Sequence, residues 1–135
     1  MEESVVVVML RNEETGFLEK ELFLSNIHEN AEFLERLYVT RGDDGFYAHA
    51  FLCVGCDVED WQFDALYDYY DDEAWDSAFE FREVCDNYNP MWRVSFKCEE
   101  SGAGFDETLK DILARHGEEL ASAFVAISAK KEEYM

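Results

Sequence analysis

Apolar residues fall into short runs through the first half of the chain, and these runs predict strands. The segment Ser4–Arg11, SVVVVMLR, is a β-branched run of the kind that lies inside a sheet. Residues 12–16 (NEETG) predict a turn into FLEKELFL, residues 17–24, so the two segments form a hairpin. In NAEFLERLY, residues 30–38, apolar positions recur near helical spacing, which predicts a short helix. Residues 46–54 (FYAHAFLCV) predict a third strand.

The second half combines predicted helices with one clear strand. One or two helices are predicted between residues 57 and 88. In MWRVSFKC, residues 91–98, apolar and polar residues alternate as on a half-buried strand. Residues 105–117 predict a helix with a cap at Asp106 and a stop at Gly117, and a last helix follows it.

These elements follow the order ββαβα(α)βαα, which predicts an α+β fold. We expect a small antiparallel or mixed sheet of about four strands with helices packed on it. A chain of 135 residues without a linker or repeat predicts one domain spanning residues 1–135. The exposed edge of so small a sheet would also allow a homodimer.

Charge narrows the possible partners. The chain has 11 Lys and Arg against 32 Asp and Glu, a formal net charge of −21 at pH 7, yet 48% of its residues are apolar, enough for a packed core. Such a protein repels phosphates and anionic lipids, so direct binding to nucleic acid or to a membrane surface is disfavoured. The same charge attracts basic protein surfaces.

The N-terminus predicts a cytoplasmic protein. Its first residues, MEES, are acidic where a signal peptide requires positive charge. No apolar run approaches the roughly 20 residues of a membrane span. Cysteines in that compartment are expected as thiols or metal ligands rather than as disulfides.

The segment DWQFDALYDYYDDEAWDSAFE, residues 60–80, carries the strongest functional signal. An acid recurs at every fourth position: Asp60, Asp64, Asp68, Asp72, Asp76 and Glu80. Like charges at this spacing are neighbours on a helix and repel each other by a few tenths of a kcal/mol, so aromatic burial must outweigh them. An unbroken helix would place the acids about 6 Å apart along its axis, as a rod of regular negative charge.

This rod predicts a non-enzymatic protein that docks on a basic protein surface. One version is a DNA mimic that inhibits a nucleic-acid-binding protein, in the manner of antirestriction or anti-CRISPR proteins. Asp71 adds to the charge, and Tyr67 and Tyr70 are candidate interface anchors. The alternative is that the acids only keep a cytosolic protein dissolved, without a defined activity. No nucleophile motif or P-loop indicates catalysis, and no cofactor is expected.

A thiol function is the other alternative. A strand, then CVGC, then a helix, with Pro90 before a later strand, resembles the thioredoxin pattern. The resemblance implies that Cys53 is a nucleophile and Cys56 its resolving thiol. Asp57 and Glu59 oppose this reading, because neighbouring anions disfavour a thiolate and raise the pKa of a thiol.

Zinc binding through the Cys53 and Cys56 pair is a further alternative, in which all four cysteines of the chain could be the ligands. Cys85 and Cys98 would then join Cys53 and Cys56 in a tetrahedral site. Both of these later cysteines fall among apolar positions, where buried structural cysteines are common. A core role is therefore the competing interpretation.

Three segments resemble a small acidic family from clostridial-type bacteria to which no function is assigned. They are ETGFLEKEL at residues 14–22, DVEDWQFDALYDYYD at 57–71 and YNPMWRVSF at 88–96. The resemblance covers most of the chain. It implies an intracellular bacterial protein, and it transfers no site residue.

Overall fold

Six strands form one mixed sheet in the residues that this computed structural model describes, which are 4–27, 30–70, 75, 79–84 and 89–134. In chain order the strands are β1 Ser4–Arg11, β2 Leu18–Ile27, β3 Leu34–Gly42, β4 Gly45–Cys53, β5 Glu80–Val84 and β6 Met91–Cys98. Their order across the sheet is β2-β1-β3-β4-β6-β5, with β1 and β3 parallel and the other neighbours antiparallel. The α+β class is confirmed, whereas the prediction of about four strands was too low.

Helices lie on one face of this sheet. Those described are α1 Asp60–Tyr69, α2 Phe105–Ile127 and α3 Lys131–Tyr134, with a 3₁₀ turn at Ala31–Phe33. Buried residues from the first half of α2 and the inward residues of the strands form one apolar cluster that includes Leu109, Ile112, Leu113, Val8, Leu10, Val39, Ala50, Leu52 and Val94. Within the described residues, no helix has both the length and the apolar character that crossing a membrane requires.

The predicted hairpin of β1 and β2 is confirmed. The Asn12 side-chain oxygen accepts the backbone N–H groups of Glu14 and Thr15 at 2.8 and 3.2 Å, which closes the turn. Gly16 completes the turn with φ of +76°, a conformation that glycine adopts without steric cost.

The helix predicted over residues 30–38 was wrong. Asn30 has φ of +64°, and only Ala31–Phe33 form a 3₁₀ turn before the chain extends into β3. β3 then pairs with β4 as far as the tight turn between Gly42 and Gly45. Cross-strand pairing outweighed the apolar spacing, which is ambiguous over so short a segment.

The second helix expected before residue 88 was also wrong where the structure describes it. Residues Glu80–Val84 form β5, which pairs antiparallel with β6 at the edge of the sheet. The Tyr67 hydroxyl of α1 donates to the Val84 carbonyl oxygen at 2.7 Å and accepts the Met91 N–H at 2.9 Å. This contact from a distant helix fixes where the two strands meet.

The helix predicted to end at Gly117 and the helix predicted after it form one continuous 23-residue helix, α2, and the short α3 follows it. Gly117 lies inside α2, where a Cβ would sit 3.3 Å from the Phe33 ring, so this glycine permits close packing instead of ending the helix. The N-cap is Gly104 and not Asp106. The Asp106 carboxylate instead accepts the Ser25 hydroxyl at 2.6 Å, which ties α2 to β2.

The other face of the sheet, here called the open face, has no described element packed on it. Cross-strand partners place their side chains there in rows, because paired residues point to the same side of a sheet. One row contains Tyr38, His49 and Ser95, and the next contains Arg36, Phe51 and Arg93.

Candidate functional site

The acids of α1 are positioned by a helix that begins at Asp60, inside the region predicted to be helical, with Glu59 as its N-cap. The backbone N–H of Glu59 donates to the side-chain oxygen of Gln62 at 2.9 Å, which stabilises the first turn. Ala65 and Leu66 are buried on the inner side of α1, against α2 and the end of the sheet. The helix ends at Tyr69, and Tyr70 has an extended backbone.

Three acids of the four-residue series lie on α1: Asp60, Asp64 and Asp68. All three side chains are exposed, and α1 contains no basic residue. We call these three residues the acidic face of α1. They form an exposed negative surface over about 12 Å of helix axis, given a rise of 1.5 Å per residue.

Asp68 is held in place by the C-terminal helix. The Tyr134 hydroxyl donates to its carboxylate at 2.5 Å, and α3 therefore lies against α1. This hydrogen bond, with smaller effects from burial and from the charges of Asp68 and Glu133, raises the pKa of Tyr134 to about 12. The phenol keeps its proton over the whole physiological range and so remains a hydrogen-bond donor to Asp68.

The remaining acids of the series do not extend this face. Glu80 is exposed on β5, where its carboxylate accepts from Arg82 Nε at 2.6 Å and lies 3.9 Å from Arg93 Nη2. Asp71, Asp72 and Asp76 lie outside the described residues. The single helical rod expected from the sequence was wrong, because α1 ends at Tyr69 and Glu80 belongs to a strand.

The two tyrosines predicted as interface anchors face the core instead. Tyr70 is only 6% exposed and stacks on Trp92 with ring centroids 4.5 Å apart. Tyr67 is half-buried and uses its hydroxyl between β5 and β6. These two tyrosines therefore stabilise the fold, and Tyr70 offers no exposed ring to a partner.

His116 is a buried polar residue whose role the sequence did not reveal. Its Nε2–H donates to the carbonyl oxygen of Cys53 at 2.7 Å, so Nδ1 carries no proton and accepts the Tyr70 hydroxyl at 2.8 Å. Burial is the main cause that lowers the pKa of His116 to about 4. In the sequence, the burial of His116 is indicated by its place in the apolar stripe of α2. The helix end predicted at Gly117 made this indication hard to recognise.

The C-x-x-C pair borders an acidic cleft at the end of β4. The cleft, about 460 Å³, is lined by Glu32, Glu35, Cys53, Val54, Gly55, Cys56, Asp57, Asn89, Pro90 and Met91. The Cys53 thiol donates to the Glu32 carbonyl oxygen at 3.3 Å. Burial, with a smaller effect of the Glu35 charge, raises the pKa of Cys53, the opposite of what an attacking thiolate needs. The geometry does not support the thioredoxin-like reading.

Zinc binding receives no support either. Within the described residues, no three or more His, Cys, Asp and Glu side chains are grouped so that they could hold a metal ion. Burial raises the pKa of Cys98 to about 11, so this thiol stays protonated at neutral pH. Cys85 lies outside the described residues.

Alkylation by iodoacetamide at pH 8 should modify Cys56 before Cys53. Cys56 is exposed, whereas Cys53 is half-buried and has a raised pKa, and a thiol must be both accessible and deprotonated to react. Mass spectrometry of tryptic peptides over a time course would give the order. Modification of Cys53 first would reinstate a reactive thiol at this cleft.

Comparison with known proteins gives one match. A family model described as "Family of unknown function (DUF6762)" matches residues 1–135. No curated protein and no solved structure matches the chain.

Proposed function

The chain belongs to the family of unknown function DUF6762, and we propose that it is a non-enzymatic protein that docks on a basic protein surface through the acidic face of α1. The observation that supports this proposal is the exposure of Asp60, Asp64 and Asp68 along a helix without a basic residue. These charges are not balanced by bases of their own helix. They are therefore available to a partner.

The size of the acidic face suits an electrostatic contact. Neighbouring carboxylates are about 6 Å apart along the helix axis, which is less than the Debye length of about 8 Å at physiological ionic strength, so each acts together with the next on a partner at contact distance. The net charge of −21 adds long-range attraction, which raises the rate of encounter with a basic protein.

A nucleic-acid-binding protein is the candidate partner, with the protein acting as a DNA mimic. A groove that binds phosphates attracts a row of carboxylates for the same electrostatic reason. We also propose that the two proteins meet in the cytoplasm, and that the family consists of acidic proteins from clostridial-type bacteria. The row on α1 comprises three acids, so we expect a smaller footprint than a continuous rod would give.

Neutralising the acidic face should weaken capture of the basic partner by about tenfold, since three exposed charges contribute a few tenths of a kcal/mol each or more. The variant is Asp60→Asn, Asp64→Asn and Asp68→Asn in one chain. Immobilised wild type and variant are exposed to lysate of the source cell at low and at high salt. Captured proteins are quantified by mass spectrometry.

The matched control places the same loss of charge on α2. Glu107→Gln, Asp111→Asn and Glu118→Gln remove three exposed acids there and leave α1 unchanged. Retained capture by this control and lost capture by the α1 variant support the proposal. Equal loss in both variants would mean that bulk charge acts alone, and unchanged capture by the α1 variant would exclude this face. Release of the partner by double-stranded DNA tests the mimicry.

A further inference from the structure

Basic residues gather on the open face of a chain in which 32 acids stand against 11 bases. Arg82, Arg93, Phe51 and Arg36 are successive cross-strand partners on β5, β6, β4 and β3. They therefore form one row across the sheet, with strands about 4.8 Å apart. Arg11 of β1 lies beside this row, because its guanidinium is over the ring of Tyr38.

Two of these arginines are held in place by aromatic rings. The guanidinium of Arg11 lies 4.9 Å from the centre of the Tyr38 ring, and that of Arg36 lies 4.6 Å from the centre of the Phe51 ring. The two rings are themselves 5.8 Å apart. We call Arg11, Tyr38, Arg36 and Phe51 the arginine–aromatic row. Its guanidinium groups are fixed at the surface of the sheet by cation–π contacts.

Neither Arg11 nor Arg36 has a carboxylate within 4.0 Å among the described residues. The ion pairs there involve other bases, and Arg82 and Arg93 share Glu80. Acids outnumber bases almost three to one in this chain, so an arginine is expected to form an ion pair with a carboxylate. A guanidinium stacked on a ring keeps its N–H edge available for the paired hydrogen bonds that carboxylates accept.

The surroundings of the row include acids, since Glu80 lies beside Arg93 and the charges of Glu13 and Glu80 act on His49, but they also include uncharged and apolar groups. His49 lies between the Thr40 hydroxyl and the Ser95 hydroxyl, each 2.8 Å from a ring nitrogen. At the β1–β2 side of the open face, Val5, Val7 and Leu24 are each about half exposed: 56%, 46% and 54%. The open face thus combines fixed positive charge with apolar contact area.

We propose that the open face is a docking surface for an acidic peptide segment that carries both carboxylate and apolar side chains. The carboxylates bind Arg11 and Arg36, and the apolar side chains pack on the β1–β2 margin. Charge complementarity selects this occupant, because at contact distance the local arginines outweigh the screened charge of the rest of the chain. The proposal concerns a surface separate from the acidic face of α1.

A single-stranded nucleic acid fits this surface less well. Base recognition on a sheet uses exposed aromatic faces for stacking, yet Phe51 is only 8% exposed and lies under Arg36. A long polyanion also meets the repulsion of the net charge of −21 over its whole length. A short peptide with a few carboxylates meets much less of this repulsion.

The test measures fluorescence anisotropy with a short labelled peptide that alternates glutamate and leucine. The wild-type protein should bind it, and the double variant Arg11→Gln and Arg36→Gln should bind about tenfold more weakly, because two charge-assisted contacts are lost. The matched control is Lys110→Gln with Lys131→Gln, which removes two exposed bases from the helices. This control should retain the affinity. Circular dichroism confirms that every variant is folded.

Three results would overturn the proposal: no binding by wild type, equal weakening in both double variants, or tighter binding of a labelled thymidine oligonucleotide. A peptide with lysine in place of glutamate separates this proposal from the proposed function. Its binding reports the acidic face of α1, and the loss of Arg11 and Arg36 should not weaken it. Each surface can therefore fail without the other.

Discussion

Lowering the pH from 6.5 to 4 should destabilise the wild-type protein by about 3 kcal/mol more than it destabilises a His116→Leu variant. The folded pKa of His116 is lowered to about 4, mainly by burial, against an ordinary value of 6.5. Above pH 6.5 the imidazole is neutral in both states. Between pH 6.5 and pH 4, the unfolded chain binds a proton at His116 and the folded chain does not. The free energy of unfolding therefore falls as the pH falls.

Burial is the main reason that the folded protein refuses this proton, and one hydrogen bond of His116 adds to it. Nδ1 accepts the Tyr70 hydroxyl, so a proton there would have to displace that bond inside the core. Urea denaturation of both proteins at pH 6.5, 5.5 and 4 would give the difference. Protonation of the many carboxylates and of His49, whose pKa burial also lowers, affects both proteins alike and cancels. Parallel pH profiles would contradict the assignment.

Replacing Gly102 by alanine should lower the free energy of unfolding by about 3 kcal/mol or more. Gly102 has φ of +81°, and a Cβ there would lie 2.6 Å from Cγ of Phe23. Phe23 cannot easily retreat, because its ring packs edge-on against Phe105 with centroids 4.8 Å apart. Backbone strain and overpacking therefore add. Urea denaturation at pH 7 measures the loss.

Gly104→Ala provides the matched control. Gly104 has a similar φ of +73°, yet a Cβ there would meet nothing within 4 Å. Its substitution should cost only the backbone strain, about 1–2 kcal/mol. The difference between the two variants measures the clash with Phe23. Equal losses would show that the Phe23 ring moves aside freely.

Local pattern predicted the elements that depend on local contacts. β1, the turn after Asn12 and the alternating strand β6 lie where the sequence placed them. α1 also begins within the predicted region, which put Asp60, Asp64 and Asp68 on a helix as expected. In each case the signal lies within about ten neighbouring residues, the range over which periodicity can be recognised.

The misassigned elements depend on partners far along the chain. β3 becomes a strand because β4 pairs with it, and β5 because β6 pairs with it. Gly117 stays inside α2 because Phe33, from a distant turn, occupies the space that a side chain would need. Propensity over a short window contains none of these contacts, so tertiary pairing overrode it.

The two candidate surfaces differ in the same way. The acids of α1 are separated by regular intervals in one segment, so their spacing can be seen in the sequence. The arginine–aromatic row joins Arg11 of β1 to residues of β3 and β4, which only the sheet brings together. These residues are not regularly spaced along the sequence. A sheet surface of this kind becomes visible only with the strand register.

In the described residues, helices cover one side of the sheet and leave the other side bare. The layers are together about 20 Å thick, more than two Debye lengths at physiological ionic strength. The charge of a ligand bound to the bare side of the sheet would therefore be screened from charges on the outer surface of the helices. Under the two proposals above, the protein would hold a basic and an acidic partner at the same time, without competition between them.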